Sequence, residues 1–215
     1  SNARDLFNLG LIFFIIQIAG VIQYQTANII IARNFGTADV TAYNVVYKYF
    51  GILYMVFNIF LTPFWSASTE AYQKNDIKWI KNGIKRYNQL GILMLIGTML
   101  MLVFSTPFYQ IWLDGKVIVP FTLSFWGFVY YNIMIFGGKY VQFLNGISAL
   151  RIQFITSIIS PVLYIGIVLL LIKVLNMGVY SIFIGAIIAS FNGFILAPLQ
   201  YHMVINKNKK GIWIK

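Results

Sequence analysis

The stretch TAYNVVYKYFGILYMVFNIFLTPFWSASTEAYQKNDIKWIKNGIKRY, residues 41–87, decides the fold. Residues 41–68 are mostly apolar and long enough for a helix across a hydrocarbon core about 30 Å thick. The rest is basic and amphipathic, with isoleucines and a tyrosine on one side at helical spacing and lysines on the other. A span followed by a positively charged interfacial helix predicts on which side of the membrane each end lies.

Composition indicates a membrane protein. The 215 residues are 60% hydrophobic and 10% charged, whereas a soluble domain is usually about 25% charged. The net charge of +11 favours anionic membrane lipid or an anionic lipid-linked substrate as partner. Nucleic acid is disfavoured, because the basic residues lie between apolar segments rather than on a soluble module. With no cysteine and one histidine, His202, we expect no metal site and no cofactor.

Six segments are long and apolar enough to span the membrane, and spanning backbone is helical by default. The sequence therefore predicts an all-α, polytopic membrane bundle of six transmembrane helices. The expected spans are residues 6–34, 41–68, 89–105, 120–147, 151–175 and 179–205. A basic interfacial helix near residues 70–88 is expected between the second and third spans.

The basic residues predict the orientation. Eleven of the sixteen lie on one side, at Arg4, within residues 70–88, at Arg151 and in the C-terminal tail, and three lie on the other. The positive-inside rule then predicts that both termini are cytoplasmic. Residues 1–3 have the form of an expression-tag remnant, which predicts that residues 4–215 are a fragment whose N-terminal part is missing.

Two lysines fall inside the predicted spans. Lys48 lies about 10 Å from the outer end of its span, so it either snorkels to the interface or faces a cavity. Lys139 lies deeper, which favours a cavity-facing role. All five carboxylates lie in loops or at span ends, which leaves no internal carboxylate for a proton or sodium relay and no pair for acid–base catalysis. Cations beside amides and tyrosines suit an anionic group such as a phosphate.

The first span carries amides on one side. Gln17, Tyr24, Gln25 and Asn28 recur at helical spacing. Amides facing lipid are costly, so this side is expected to face protein or a watery cavity. Interhelical hydrogen bonding and cavity lining both explain the pattern, and it does not separate them.

Several short motifs, in their order and spacing, resemble bacterial polysaccharide flippases of the multidrug/oligosaccharidyl-lipid/polysaccharide superfamily. They are NIIIA at 28–32, YKYF at 47–50, TPFWSA at 62–67, EAY at 70–72, DIKWI at 76–80 and NGI at 145–147. The resemblance extends over residues 4–215. It implies a non-enzymatic transporter of twelve to fourteen spans in two halves, of which this chain would be the C-terminal portion and a missing N-terminal transmembrane half the partner.

The resemblance also implies a substrate and a site. The substrate would be an undecaprenyl-diphosphate-linked sugar repeat for O-antigen, lipopolysaccharide or capsule biosynthesis, flipped across the cytoplasmic membrane by alternating access. The expected cavity residues divide into cations for the diphosphate and polar or aromatic side chains for the sugars. The cations are Lys48, Lys139 and Arg33, and the sugar-binding residues are Gln25, Asn28, Tyr43 and Tyr47.

Three other functions compete with flipping. A multidrug or cation antiporter of the same superfamily would be expected to carry a buried carboxylate, and the spans contain none. A membrane-embedded polysaccharide polymerase or glycosyltransferase would be expected to have a large extramembrane loop with catalytic residues. A non-transporting membrane scaffold is the remaining alternative.

Overall fold

In a computed structural model, the described residues, 3–214 with side chains from Phe7 to Ile214, form helices joined by short turns and no strand. The described residues do not include Ser1, Asn2, Lys215 or the side chain of Arg4. Part of the predicted tag remnant and of the basic tail therefore lies outside the described residues. The long helices are α1 (Ala3–Asn34), α2 (Thr37–Gln73), α3 (Ile77–Val103), α5 (Phe121–Gly146) and α6 (Arg151–Lys173); α4 (Ser105–Trp112) and α7 (Ser181–Ala189) are short. The predicted all-α bundle is confirmed.

The last span is a bent helix pair. After α7 the chain turns by 45° and continues as Asn192–Asn206. This segment comprises α8 (Ala197–Tyr201) between two π-helical turns, Asn192–Leu196 and His202–Asn206. A short 3-10 turn, Gly211–Trp213, ends the described chain.

Four helices among the described residues, α1, α2, α3 and α6, are long and apolar enough to cross a membrane, and the bent pair is a fifth candidate when its two parts are counted as one span. The chain is therefore a multi-pass membrane protein. The count differs from the six predicted spans because of α5, whose 26 residues reach about 39 Å but carry several polar side chains. α5 packs against α2, α3, α7 and α8, so these polar groups face protein rather than lipid.

The basic segment near residues 70–88 is divided between two helices. α2 continues to Gln73, the chain reverses through Asn75 with φ 55°, and α3 begins at Ile77, where the Asp76 carboxylate accepts the Trp79 N–H at 2.9 Å. The apolar stripe of this segment packs on α2: the Phe64 ring lies 4.8 Å from that of Tyr87. The stripe that sequence periodicity assigned to a surface helix therefore forms the seam of a helical hairpin.

The lysines of this segment remain exposed. They are Lys74, Lys78, Lys81 and Lys85. The same end of the bundle contains the end of α5, where the Thr69 hydroxyl donates to the Gly146 carbonyl at 2.7 Å, and the C-terminal segment, where the Gln200 amide donates to the Ala149 carbonyl at 3.1 Å. We call this the basic end.

Candidate functional site

A groove lies between α1, α2, α5, α6 and α7, and its mostly apolar surface carries a set of polar and aromatic side chains. Its volume is about 660 Å³, within the range of about 300–1,000 Å³ typical of small-molecule clefts. No Asp, Glu, Lys or Arg is among its lining residues within the described chain. The polar and aromatic lining residues are Gln17, Gln23, Tyr24, Tyr43, Tyr47, Tyr130, Gln153, Thr156, Ser157, Ser160, Tyr164, Ser190 and Asn192.

Tyrosines form one wall of this tyrosine groove. The Tyr47 ring centroid lies 4.9 Å from that of Tyr24 and 5.9 Å from that of Tyr43. The Tyr131 hydroxyl donates to the Tyr47 backbone carbonyl at 2.8 Å and so ties this part of α2 to α5. Tyr164 on α6 is buried on the opposite side. Rings locked against one another give flat apolar faces with hydroxyls at their edges.

A stripe of polar residues on α6 forms the second wall. Gln153, Thr156, Ser157, Ser160 and Tyr164 are spaced at i, i+3, i+4, i+7 and i+11 and all line the groove, as one face of a helix requires. Pro161 has no N–H to donate to the carbonyl four residues earlier, which is that of Ser157. The Ser157 carbonyl therefore lacks its usual helical partner and is an additional acceptor on this helix, beside the hydroxyls and the amide.

The bend after α7 contributes the end wall. The Gly193 N–H bonds the Ser190 carbonyl at 2.9 Å instead of the Ala189 carbonyl, and the Ser160 hydroxyl donates to Ala189 at 2.9 Å. Ser160 also lies 3.5 Å from Gln23 Oε1 on α1. Irregular backbone at membrane depth is tolerated where it is buried in protein or lines a polar cavity, and this bend lines the groove.

A hydrogen-bond relay holds α1 over the groove. The Tyr24 hydroxyl donates to Asn44 Oδ1, and Asn44 Nδ2 donates to Asn28 Oδ1 at 2.8 Å. α1 also packs on α6. It thus spans the two walls, and the amide relay explains part of its polar side.

A second cavity lies on another face of α5. It has a volume of about 520 Å³ and lies between α3, α5 and the segment after α7. Tyr130, Met134 and Val141 of α5 line the groove, whereas Asn132 and Lys139 belong to the second cavity, so α5 separates the two. We call the second one the Lys139 cavity.

Lys139 is almost completely buried there, with 2% of its surface exposed. Its Nζ donates to the Phe136 backbone carbonyl and lies 5.2 Å from the Phe136 ring centroid and 4.8 Å from that of Tyr140. Asn88 and Asn132 also line the cavity. The Asn132 amide donates to Thr98 Oγ1 at 3.0 Å.

Comparison with known proteins gives one curated relative, a Salmonella typhimurium protein named "Putative O-antigen transporter". The two are 23% identical over 198 residues, which cover 91% of this chain and 46% of the relative. The chain thus spans about half the length of the relative it matches. No family model matches the chain, and no solved structure matches it significantly.

Two of the residues predicted from sequence to line a cavity lie together in the structure, and a third lies next to them. Tyr43 and Tyr47 line the tyrosine groove. Asn28 is half-buried and lies beside it, hydrogen-bonded to Asn44 and so to α2. Of the two explanations for the polar side of α1, interhelical hydrogen bonding applies to Asn28. Cavity lining applies to Gln17 and Tyr24.

The predicted cations do not converge on the groove. Lys139 lines the second cavity, while Lys48, Arg33 and the amide of Gln25 are exposed and line neither. Lys48 has the exposure that a snorkelling lysine requires. The cationic and the uncharged parts of the predicted site are therefore spatially separate.

The whole α6 wall is absent from the predicted set, although its signal is present in the sequence. A polar residue recurs at every turn from Gln153 to Tyr164 inside an otherwise apolar helix, which is the pattern of a cavity-facing side. Serine and threonine are common in spans, where their hydroxyls bond their own backbone, and this hides the pattern. Tyr130 and Ser190 carry no such local signal.

Proposed function

We propose that this protein translocates an undecaprenyl-diphosphate-linked oligosaccharide repeat from one membrane leaflet to the other for surface polysaccharide biosynthesis. The similarity to a protein named as an O-antigen transporter supports polysaccharide transport in general. The observation that carries the sugar as cargo is the tyrosine groove. This groove has no charged lining residue in the described chain, and its mostly apolar surface carries tyrosine rings, hydroxyls and amides. Such a surface matches a neutral ligand that has both apolar C–H faces and hydroxyls.

The sugar would bind through both walls. Tyr43 and Tyr47 would stack against the C–H faces of its rings, and the α6 stripe would exchange hydrogen bonds with its hydroxyls. The prenyl tail would remain in lipid. The diphosphate would pair with a cation outside the groove, for which Lys48 and Arg33, both exposed, are the candidates.

We further propose that the protein lies in the bacterial cytoplasmic membrane with the basic end facing the cytoplasm. The exposed lysines at the start of α3 would contact anionic headgroups there. Because the sequence contains no cysteine, single cysteines at Lys78 and Lys116 report the topology without background. Labelling of both from the same side of the membrane would contradict this orientation.

Alternating access needs a second body against which this bundle moves. The chain spans 46% of its relative, and we propose that a further transmembrane half completes the transport path. The apolar stretch of α1 is not buried by the rest of the described chain, which supports α1 as part of the surface facing that half.

The test removes polarity from the groove without changing volume. Thr156→Val and Gln153→Met change two groove residues, and Thr62→Val is the matched control. Both threonines donate to a carbonyl of their own helix, Thr156 to Ile152 at 2.9 Å and Thr62 to Asn58 at 2.7 Å, but Thr62 is exposed and lines neither cavity.

The readout is complementation of a strain that lacks the full-length protein. The double groove variant is expected to reduce surface polysaccharide about tenfold or more and to accumulate lipid-linked repeats on the cytoplasmic face, while Thr62→Val behaves as wild type. Unchanged export by the groove variant at equal membrane abundance would refute the sugar assignment.

A further inference from the structure

The Lys139 cavity contains a buried cation without a countercharge. The described carboxylates lie in turns or near helix ends, and none lines this cavity; they are Asp39, Glu70, Asp76 and Asp114. Two of them already have partners, since Glu70 pairs with Lys74 and Asp114 with Lys116. Within residues 7–214, no anionic side chain therefore neutralises Lys139.

The contacts of Lys139 stabilise an ammonium group only in part. An ammonium has three N–H donors, and one of them bonds to the Phe136 carbonyl. The Phe136 and Tyr140 rings add attraction of the cation–π kind, which is smaller than the penalty for removing an ammonium from water. A mobile anion entering the cavity would supply what is missing.

The rest of the cavity suits a phosphate group. Asn88, Asn132 and Tyr140 line it beside Lys139, and amides and phenols donate hydrogen bonds to phosphate oxygens. Asn132 is committed to Thr98 and to its own helix, so Asn88 and Tyr140 are the donors best placed to assist. The volume of about 520 Å³ exceeds what a single water or small inorganic ion needs.

The depth of the cavity points to a lipid headgroup. Lys139 precedes the end of α5 at Gly146 by two helical turns, about 11 Å along the axis. The ammonium therefore lies below the headgroup region, and a phosphate would reach it by entering the cavity from the basic end, where the exposed lysines already favour anionic lipid. Phe194 and Pro198 provide apolar lining next to it, which accommodates the first part of an acyl or prenyl chain.

We propose that the Lys139 cavity is a binding site for a phosphate or diphosphate headgroup, separate from the tyrosine groove. Lys139 provides the charge, Asn88 and Tyr140 provide further donors, and the apolar lining receives the start of the lipid chain. The site does not depend on the sugar assignment of the groove.

The test is ligand binding to purified full-length protein in detergent, measured by native mass spectrometry and thermal shift. The probes are inorganic pyrophosphate, undecaprenyl diphosphate and phosphatidylglycerol. Lys139→Met keeps the chain length and removes the charge, and Lys139→Arg keeps the charge. Lys173→Met is the matched control, because Lys173 is an exposed lysine at the end of α6 that lines neither cavity.

The expected result is that Lys139→Met weakens binding of at least one probe tenfold or more, Lys139→Arg by less than threefold, and Lys173→Met not at all. Binding of pyrophosphate alone would identify the anion as sufficient, whereas selective binding of either lipid would identify the headgroup's source. Asn88→Leu, expected to weaken the same probe, keeps the test decisive if Lys139→Met does not fold.

Equal binding of all three probes to wild type, Lys139→Met and Asn88→Leu would overturn the proposal. The groove variants Thr156→Val and Gln153→Met are expected to bind the same probe normally. Loss of polysaccharide export in those variants with intact phosphate binding, or the reverse, would separate failure of one assignment from failure of the other.

Discussion

Replacing Gly137 by alanine is expected to destabilise the bundle, because α5 touches the π-helical turn after α7 backbone to backbone at this position. A Cβ built on Gly137 would lie 2.5 Å from the Gly193 carbonyl oxygen and 2.8 Å from its carbon. Neither atom belongs to a side chain that can rotate away. The two helices must therefore separate, or the turn must rearrange.

The geometry sets the magnitude. Ordinary contact begins near 3.4 Å, so the 2.5 Å approach requires a displacement of about 0.9 Å between two packed backbones. Overpacking of this kind costs about 1–3 kcal/mol, and the immobile neighbour puts this case at the upper end. Alanine regains about 1 kcal/mol over glycine in a helix. The net loss is about 2 kcal/mol, or about 4–8 °C in Tm for a chain of this size.

The neighbouring glycine is the control. A Cβ on Gly138 would meet Leu61 Cδ2 at 3.3 Å, the end of a flexible side chain, and one on Gly166 would meet nothing within 4 Å. Gly138→Ala and Gly166→Ala are therefore expected to unfold at or slightly above the wild-type temperature. Thermal unfolding in detergent, followed by tryptophan fluorescence, ranks the three variants. If Gly137→Ala is as stable as Gly138→Ala, the backbone contact does not constrain the bundle.

Further predictions concern single contacts. Thr98→Val removes the hydroxyl that accepts from the buried Asn132 amide and is expected to cost about 1–3 kcal/mol; Thr98→Val with Asn132→Leu should recover part of this loss in a thermal double-mutant cycle. Tyr24→Phe and Asn44→Ala should show a coupling of about 0.5–2 kcal/mol in a second cycle, since both belong to one relay, and additive losses would count against it. Asn75 has φ 55°, so Asn75→Val should lower stability by about 1–2 kcal/mol while Asn75→Gly does not, as chemical denaturation would show.

Features that depend on local sequence were predictable. The bounds of α1, α5 and α6 follow from apolar length and from the turns that interrupt it, because span length and turn chemistry are encoded within a few residues. The basic residues are concentrated at alternate connections between the apolar segments, and this pattern can also be read from local sequence. These observations suffice for an all-α membrane bundle.

Features that depend on which helices meet were not predictable. Depth in the sequence separates Lys139 from Lys48, but it does not say which cavity a lysine lines. Lys139 is 2% exposed and lines a cavity separate from the groove, whereas Lys48 is exposed and lines neither. The bend after α7 falls between Ala189 and Asn192 and not at Pro198, the one proline of this segment. Its causes, the Ser160 hydroxyl and the close approach of Gly137, lie on other helices.

The polar side chains of α5 have one structural explanation, which also connects the two cavities. α5 borders the tyrosine groove on one face and holds the buried Lys139 on another, so it carries polar groups on both faces. Gly137 lines the Lys139 cavity and Gly193 lines the groove, so their backbone contact is the wall between them. Gly137→Ala displaces that wall. Its effect should appear both in the binding of a phosphate probe and in polysaccharide export, whereas Gly138→Ala should change neither.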